Sequence, residues 1–387
     1  MGKEKEPMKQ EGLYIGRGTP DMREELLDFL NLAFGMNGNE RDLLKWLPKL
    51  YNEENDPCGH NYVVTENGKI RAAVGVYPRK LHVLDETLTT YGVGNVAVHP
   101  YHRSKGYMKL LMNRAVEDMI EDGADMSDLG GRRQRYQYFS YESGGSNVNF
   151  HFDTYSMRHC FGDAPMREIR FEPVTDPDSP WLEPIRRLHD GRPLHMERPA
   201  DRFFDIASSW GERLTAIREG ARFIGYCVSA LRELTLTDEA DFADVLRCFT
   251  AEHGSLDLGL PLYETGMIRT AHKLCASYSM GTDKYFSLFR FRKVVSAFMK
   301  LKASRIPLLD GSLTVQVEGR AGREVFRIKV QNGVPSVTDA EEEPRVILEH
   351  KEAELFFFGL LSPVRTEYPI AAAWFPLPIR IEYADQV

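Results

Sequence analysis

The sequence predicts an α+β protein of more than one domain, in which helices and strands are mixed along the chain. Its 387 residues exceed the usual length of a single domain. Asn-Gly and Asp-Gly pairs border alternating apolar stretches, a pattern typical of antiparallel hairpins. Other stretches carry apolar residues at helical spacing, and the hydrophobic fraction of 42% is that of a protein with a buried core.

Charge, cysteine content and hydropathy narrow the class of protein. No apolar run approaches the roughly 20 residues of a membrane-spanning helix. The five cysteines are scattered without close pairs, so we expect neither a disulfide framework nor a metal site. A net charge of −8 disfavours nucleic acid as a partner. The N-terminal stretch "MGKEKEPMKQEG" predicts a solvated tail rather than a secretory signal. We therefore expect a cytoplasmic protein without a membrane partner.

The first segment begins with a predicted helix after Thr19 and Pro20, a capping residue followed by proline at the first helical position. Apolar residues recur at helical spacing until Gly35, where the helix ends. A second helix is predicted over residues 42–51. The next stretch, "NYVVTENGKIRAAVGVYPRKLHVL", predicts two strands joined by an Asn-Gly turn.

A further strand over residues 91–98 leads into a helix with an apolar stripe, which ends at Gly123. The stretch "DMSDLGG" predicts another strand and its exit. The order is helices, an antiparallel meander, a helix and then a strand. This order predicts a mixed α/β domain.

The middle segment contains an echo of the first. "LTAIREGARFIGYCVSA" has the same layout as "YVVTENGKIRAAVGVYP", which favours either an internally duplicated fold or a single shared hairpin. The last segment contains a helix, "VVSAFMKLKAS", then the strand "SLTVQVEG", an Asn-Gly hairpin and the buried helix "AELFFFGLL". These elements predict a small α+β domain.

The stretch "VGNVAVHPYHRSKGYMKLLM" carries the clearest chemical signal. A strand ends at Val98, and a basic turn opens directly into a helix. Unpaired N–H groups at a helix N-terminus favour an anion, and Gly106 permits a close approach to the main chain. Arg103 and Lys105 add positive charge. The pattern predicts either a phosphate site or a basic turn that caps a surface helix.

The stretch "VAVHPYHRSKGYMKLLM" closely resembles the acetyl-CoA-binding segment of the GNAT superfamily of N-acetyltransferases. The signature Arg/Gln-x-x-Gly-x-Gly/Ala begins here at Arg103 and ends at Met108, which departs from the usual small residue. In layout the whole chain resembles the Eis-type acetyltransferases. Their tyrosine-rich segment matches "LGGRRQRYQYFSYE", in which Ser140 replaces a glycine.

The resemblance implies three domains: a GNAT acetyl-CoA-binding domain over 1–162, a degenerate GNAT-like domain over 163–289 and a sterol-carrier-protein-like domain over 290–387. Acetyl-CoA is the implied co-substrate. The implied cofactor-binding residues are Val96, Ala97, Val98, Arg103, Ser104, Lys105, Gly106, Tyr107, Met108, Lys109, Gly131 and Arg132.

The resemblance also implies two catalytic groups. Tyr136 matches the general acid of Eis-type enzymes, and a phenol with an ordinary pKa of about 10 is protonated at neutral pH and able to donate to the CoA thiolate. The alternative for Tyr136 is a packing role, with Tyr141 as the next candidate. The terminal carboxylate of Val387 matches the general base, with the Asp385 side chain or an edge strand ending in solvent as alternatives.

Two classes of function follow from these residues. The first is an acetyl-CoA-dependent N-acetyltransferase that acts on the amine of a small cationic molecule or of a lysine side chain. The alternative is a non-catalytic CoA-sensing or lipid-binding protein. Eis-type enzymes form hexamers, so the resemblance also implies a symmetric homo-oligomer.

Overall fold

The computed structural model describes residues 8–10, 12–36, 42–52 and 55–387. Most of the predicted N-terminal tail lies outside the described residues. The described strands form four sheets with helices packed on them, which confirms the predicted mixed α/β character. Within the described part of the chain, every helix is too short or too polar to cross a bilayer.

The first part of the chain builds most of a large sheet. Its strands are β1 (Met8–Gln10), β2 (Leu13–Arg17), β3 (Asn61–Glu66), β4 (Lys69–Val83), β5 (Glu86–Val98), β6 (Met126–Leu129), β7 (Glu142–Gly144) and β8 (Asn147–Asp153). Its helices are α1 (Arg23–Gly35), α2 (Leu43–Trp46), α3 (Pro48–Tyr51), α4 (Tyr107–Glu121), α5 (Arg133–Tyr136) and α6 (Thr154–Phe161).

The local signals account for most of these elements. A 3₁₀ turn that begins at Pro20 leads into α1. The predicted second helix is two short helices, because Pro48 lacks the N–H group that a continuous helix needs there. Asn67 and Gly68 have φ values of 50° and 76°, as a type I′ turn between β3 and β4 requires.

The sheet opens at one place, between β5 and β6. These strands run parallel and pair only from Thr90 to Val93 of β5. Residues 94–98 of β5 thus continue past the last pair and leave one edge free among the described strands. A bulge lies here as well, because Asn95 has a φ of 54° and the register with β4 shifts beside it. The result is a cleft whose wall is an unpaired strand edge.

The second part of the chain repeats the order of the first. Its strands are β9 (Ile169–Pro173), β10 (Leu194–Met196), β11 (Leu214–Glu219), β12 (Arg222–Val228), β13 (Glu233–Leu236), β14 (Ser255–Pro261), β15 (Ser277–Gly281) and β16 (Lys284–Leu288). Its helices are α7 (Leu182–Asp190), α8 (Phe203–Ser208), α9 (Phe242–His253) and α10 (Thr265–Leu274). The hairpin of β11 and β12 is the one that echoes β3 and β4 in the sequence.

The two halves exchange strands. In the first sheet β16 lies between β6 and β7, and in the second half β8 lies between β14 and β15. Each half therefore completes its sheet with a strand from the other half. As a result, strand pairing crosses the predicted boundary near residue 162.

The last part of the chain is an antiparallel sheet with one parallel strand, covered by helices. Its elements are α11 (Phe291–Ala303), β17 (Gly311–Gly319), β18 (Gly322–Gln331), β19 (Val334–Asp339), β20 (Val346–Glu349), α12 (His350–Phe358) and α13 (Pro369–Trp374). Aromatic rings fill its core; the ring centroids of Phe357 and Phe375 are 5.1 Å apart.

The chain ends with an extended tail that follows α13. The sequence predicts a strand-like stretch here, and this prediction is wrong: residues 375–382 join no sheet, and a 3₁₀ turn, Tyr383–Asp385, precedes the terminus. The tail runs between the first two domains, where side chains rather than a neighbouring strand satisfy its carbonyl groups. Alternation in sequence could not reveal this, since Phe375, Leu377, Ile379 and Ile381 alternate and are buried, as they would be on the inner face of a strand.

Candidate active site

A groove of about 900 Å³ lies along the free edge of β5 and the N-terminus of α4. The end of α1 and the segment that contains α5 form its other walls. The groove collects most of the predicted cofactor-binding residues. Those lining it are Val96, Ala97, Val98, Arg103, Ser104, Gly106, Tyr107, Met108, Lys109 and Arg132.

The turn before α4 has the geometry of an anion site. Ser104 and Gly106 both have positive φ, 67° and 80°, so the main chain curls before the helix begins at Tyr107. The first N–H groups of a helix have no intrahelical acceptor and point outward from its N-terminus. A side chain at Gly106 meets no atom within 4 Å, so the backbone conformation, not crowding within the protein, favours glycine here.

Lys105 is turned away from the groove toward Glu66 at the end of β3. Its ammonium lies 2.9 Å from the Glu66 carboxylate, which also accepts a hydrogen bond from the Tyr107 hydroxyl and lies 3.0 Å from His102. The hydrogen bonds from Tyr107 and Lys105 lower the pKa of Glu66 to about 2. This carboxylate therefore fixes three side chains of the turn.

The arginines that follow β6 point in two directions: two line the groove and one pairs with a buried carboxylate. Arg132 and Arg135 line the groove and face the N-terminus of α4 across it. Arg133 instead forms a bidentate ion pair with the buried Glu142, with N–O distances of 2.6 and 2.7 Å. Two guanidinium groups of this cluster thus remain available to an anion in the groove.

Tyr136 lies beneath this groove wall, with 6% of its surface exposed. Its ring packs on Gly131, where a β-carbon would lie 2.6 Å from the ring. Gly131 has a φ of 133°, so this position contributes space for the tyrosine rather than a lining group. Burial raises the pKa of Tyr136, and the neighbouring Arg135 opposes the shift. The phenol is therefore held in its protonated form.

Tyr141 has a different environment. Its side chain is fully buried, and its hydroxyl is 2.7 Å from Ser127 Oγ in β6. Burial raises its pKa beyond that of an ordinary phenol. Tyr141 therefore has a hydrogen-bond partner inside the protein.

The last residue of the chain lies against β5 at the mouth of the cleft. A β-carbon at Gly94 would be 2.8 Å from the carbonyl carbon of Val387, and one at Gly92 would collide with the Val387 side chain. Both glycines thus permit the tail to approach the strand directly. Val387 packs in the same apolar cluster as Ala97, which lines the cofactor groove. Val387 itself lines a second pocket rather than this groove.

Asp385, the alternative base, is held elsewhere. Its two carboxylate oxygens accept hydrogen bonds of 2.8 and 2.9 Å from Arg198, and the same guanidinium binds Glu233. Asp385 and Arg198 are 4% and 3% exposed. The Asp385 carboxylate thus anchors the tail to the second half of the molecule.

A second pocket, of about 440 Å³, adjoins the terminus from the other side. The first domain contributes Lys49, Asp56, His60 and Tyr77 to its walls. Burial lowers the pKa of His60, which favours the neutral imidazole. The second half contributes a further wall and the tail closes the pocket. The residues of these two walls include Met196, Glu197, Pro199, Arg202, Ile206, Asp385 and Val387.

Sequence reasoning missed several residues of this region. The pair of glycines in "YGVGNV" is a legible signal, because glycines inside a strand mark the close approach of another backbone. Lys49 and Arg198 gave no signal, since their partners in the tail are 335 and 187 residues away in sequence. Only folding brings such groups together.

The family model described as an acetyltransferase (GNAT) domain matches residues 15–143. The first domain is therefore a GNAT acetyltransferase domain. The match includes the free edge of β5 and the turn before α4, which line the groove, and Tyr136, which lies outside its lining. The protein is accordingly an enzyme of the acyltransferase class. No curated protein is matched by sequence.

Solved structures share the fold over nearly the whole length at low sequence identity. A probable N-acyltransferase from Enterococcus faecalis V583 is 14% identical with a TM-score of 0.64, covering 96% of this chain and 99% of its own. A GCN5-related N-acetyltransferase from Anabaena variabilis ATCC 29413 is 15% identical with a TM-score of 0.65 and coverages of 97% and 100%. Eis1 from Mycobacterium abscessus is 12% identical with a TM-score of 0.63 and coverages of 96% and 98%.

The groove of the GNAT domain suits an acyl-CoA. It combines an unpaired strand edge, able to continue a β-sheet pattern onto an amide-containing arm, with a helix N-terminus for a pyrophosphate. Arg103, Arg132 and Arg135 add cationic groups for phosphates. The residues present therefore fit the co-substrate that the sequence implies.

Proposed function

We propose that the protein is an acetyl-CoA-dependent N-acetyltransferase that modifies the amine of a small cationic molecule or of a lysine side chain. One observation carries the proposal: the chain terminus lies against Gly94 of β5 and lines the second pocket, while residues 96–98 of the same strand line the cofactor groove. A transferase needs its base at such a junction, where the acceptor meets the acetyl group. The second pocket is accordingly the acceptor pocket.

The groove holds acetyl-CoA through main chain and side chains together. The N–H and C=O groups of Val96 to Val98 pair with the pantetheine arm, and the turn from Ser104 to Lys109 binds the pyrophosphate. Lys105 adds positive charge near the pyrophosphate without contacting it, because its ammonium is paired with Glu66. When bound, acetyl-CoA supplies the thioester carbonyl and the thiolate leaving group.

Two residues transfer protons in this reaction, one as general base and one as general acid. The Val387 carboxylate accepts a proton from the acceptor ammonium, which frees the nitrogen lone pair to attack the thioester carbon. As the C–S bond breaks, the Tyr136 hydroxyl donates its proton to the departing sulfur; the nitrogen releases its second proton to solvent, and Tyr136 regains a proton from solvent. The buried ion pair between Asp385 and Arg198 supports Val387 over Asp385 as the base.

The charges of the acceptor pocket support a cationic substrate. Asp56 and Glu197 place carboxylates on opposite walls, and Val387 adds the terminal one. Lys49, Arg79, Lys80 and Arg202 also line the pocket and balance these carboxylates and that of Asp385, so only part of the pocket favours an ammonium group. An amine with one further positive charge fits this mixture better than a heavily charged polycation.

The test is an extension of the terminus. Adding Gly-Ser-Gly after Val387 moves the carboxylate, so we expect kcat to fall about 100-fold, as loss of a general base does. The same tripeptide at the N-terminus is the matched control. Amine acceptors are first identified by release of free CoA thiol, and acetyl-CoA affinity is measured by calorimetry.

Full activity of the C-terminally extended enzyme would contradict Val387 as the base. Removing residues 385–387 together is a poorer test, because it also breaks the buried pair of Arg198 and lowers stability. Absence of CoA release with every amine, in a protein that binds acetyl-CoA, would favour a CoA-sensing role instead.

We further propose that the last domain is sterol-carrier-protein-like in fold and that the enzyme works in the cytoplasm. Close-packed rings occupy the core of this domain, for example Phe298 and Phe358 at 5.5 Å. This packing gives no support to a lipid-binding role for the domain. A fatty acid or sterol recovered with the purified protein would reopen that role.

A further inference from the structure

Three successive carbonyl groups of the tail are bound by side chains from other domains. Ala384 O accepts a hydrogen bond of 2.5 Å from Lys49 Nζ, and Asp385 O accepts one of 2.6 Å from Arg79. Gln386 O accepts from Lys49 Nζ and, at 2.8 Å, from Trp210 Nε1. Because the tail pairs with no strand, these donors replace the hydrogen bonds of a sheet in fixing its path.

Lys49 is the central donor of this set. It lies on the short helix α3 with 3% of its surface exposed, and its Nζ is 5.8 Å from the centre of the Trp210 ring. A buried ammonium usually faces a carboxylate, yet Lys49 Nζ donates to two main-chain carbonyls of the tail. Burying the amino group of Lys49 costs stability, and its hydrogen bonds fix the position of the last residues.

We propose that Lys49 is a positioning residue for acetyl transfer: it holds the chain terminus so that the Val387 carboxylate faces the acceptor amine. The proposal rests on the proposed function, in which Val387 is the base. It also assigns a task to the second half of the molecule, since Trp210 donates to the same carbonyl as Lys49.

The need for such a clamp follows from the freedom of a chain end. A terminal residue has only one covalent neighbour, so its carboxylate is mobile unless the preceding peptide groups are fixed. A displacement of about 1 Å costs roughly 100-fold in rate where a reacting group must be aligned. Fixing the carbonyls of residues 384–386 leaves only the rotations of the last residue.

The charge state of Lys49 does not decide the positioning. Burial lowers its pKa well below the usual value, whereas Asp385 raises it and Arg79, Arg198 and Lys284 lower it further. The ammonium has three N–H bonds and the neutral amine has two. Either form therefore serves both carbonyls, and the clamp persists across the pH range of an assay.

The experiment compares Lys49→Met with wild type. Methionine has a similar length and no N–H group, so both carbonyls lose a donor. Lys45→Met, at an exposed lysine one turn earlier, is the matched control. Trp210→Phe keeps the aromatic ring and removes only the N–H donor to Gln386 O, which serves if the buried Lys49 variant fails to fold.

Two readouts separate positioning from general stability. The first is carboxypeptidase release of Val387, followed by mass spectrometry, which reports the freedom of the terminus without acetyl transfer. The second is steady-state kinetics. We expect Lys49→Met to release valine at least about tenfold faster and to lower kcat at least about tenfold, with the KM for acetyl-CoA changed less than about twofold.

Release of valine at the wild-type rate from folded Lys49→Met and Trp210→Phe proteins would overturn the proposal. So would wild-type kcat in a variant whose terminus has become accessible. Failure of the proposed function looks different, because a Gly-Ser-Gly extension then leaves kcat intact while the carboxypeptidase result still reports the clamp.

Discussion

Tyr136 illustrates how one residue acquires a role from its surroundings. Its phenol is ordinary in the sequence, but burial against Gly131 raises its pKa and keeps the hydroxyl protonated. We expect Tyr136→Phe to lower kcat about 100-fold, because the departing thiolate loses its proton donor. Acetyl-CoA affinity, measured by calorimetry, stays near that of wild type.

The control for Tyr136 is Tyr155→Phe, at a tyrosine that is 77% exposed on α6. A Tyr136→Phe enzyme with the full rate on a good acceptor would return Tyr136 to a packing role. Tyr141 would then need a test of its own, although its hydroxyl is already paired with Ser127.

Gly106 decides the shape of the turn that faces the pyrophosphate. Its φ of 80° is one that residues with a β-carbon rarely adopt. We expect Gly106→Val to weaken acetyl-CoA binding at least about tenfold in calorimetry, through a shifted turn and a side chain directed at the ligand. Gly333→Val is matched to it, since Gly333 has a φ of 76° and open space in a distant hairpin. Equal losses of affinity in both variants would mean that the turn is not part of the site.

At the level of elements, α12 carries a buried carboxyl group that links stability to pH. Burial raises the pKa of Glu354 to about 7, although the nearby His350 opposes the shift. Between the unfolded value near 4.5 and about 7, the folded protein binds more protons than the unfolded chain. Stability from this group is therefore present at low pH and lost as pH rises through that window.

We expect the free energy of unfolding of wild type to fall by about 3 kcal/mol more than that of Glu354→Gln when the pH rises from 5 to 8. Denaturant unfolding at the two pH values measures the difference. Glutamine still accepts the hydrogen bond from the Leu288 N–H that glutamate accepts now. Glu343→Gln, at an exposed position, is the control and shows no such change. A Glu354→Gln advantage that is the same at both pH values would contradict this account.

At the level of the whole molecule, the reciprocal exchange of β8 and β16 joins the two halves into one folding unit. The first sheet contains β16 of the second half, and the sheet of β14 and β15 contains β8 of the first half. The tail then ties the last domain to both, through Lys49, Trp210 and Arg198. The second half is thus required for one wall of the second pocket.

We predict a symmetric homo-oligomer, with the hexamer of Eis-type enzymes as the expected size. The edge strand β15 is one candidate contact, because Tyr278 and Met280 on it are 57% and 52% exposed beside unpaired main-chain groups. Light scattering should give a multiple of the 44.3 kDa chain mass. Met280→Lys should lower that mass, unlike Met166→Lys, whose methionine is also 52% exposed. A monomer at micromolar concentration would refute the assembly.

The sequence by itself determined the local structure of the cofactor side. Strand 91–98, the turn at Gly106 and the helix after it are contiguous, so residue pattern and turn chemistry specify them without help from distant contacts. The lining of the groove by Val96 to Val98 was implied by the resemblance to the GNAT superfamily, whereas the hairpin at Asn67 follows from the residue pattern.

Only the tertiary structure decided the path of the C-terminal tail and the contacts of its last residues. The tail resembles a strand in sequence, but it is held by side chains whose partners are up to 337 residues away, and no local pattern encodes such contacts. The sequence offered both Val387 and Asp385 as the base. In the fold the Asp385 carboxylate pairs with Arg198, whereas the main chain of Val387 lies against Gly94. Long-range packing and charge pairing, rather than propensity, made that choice.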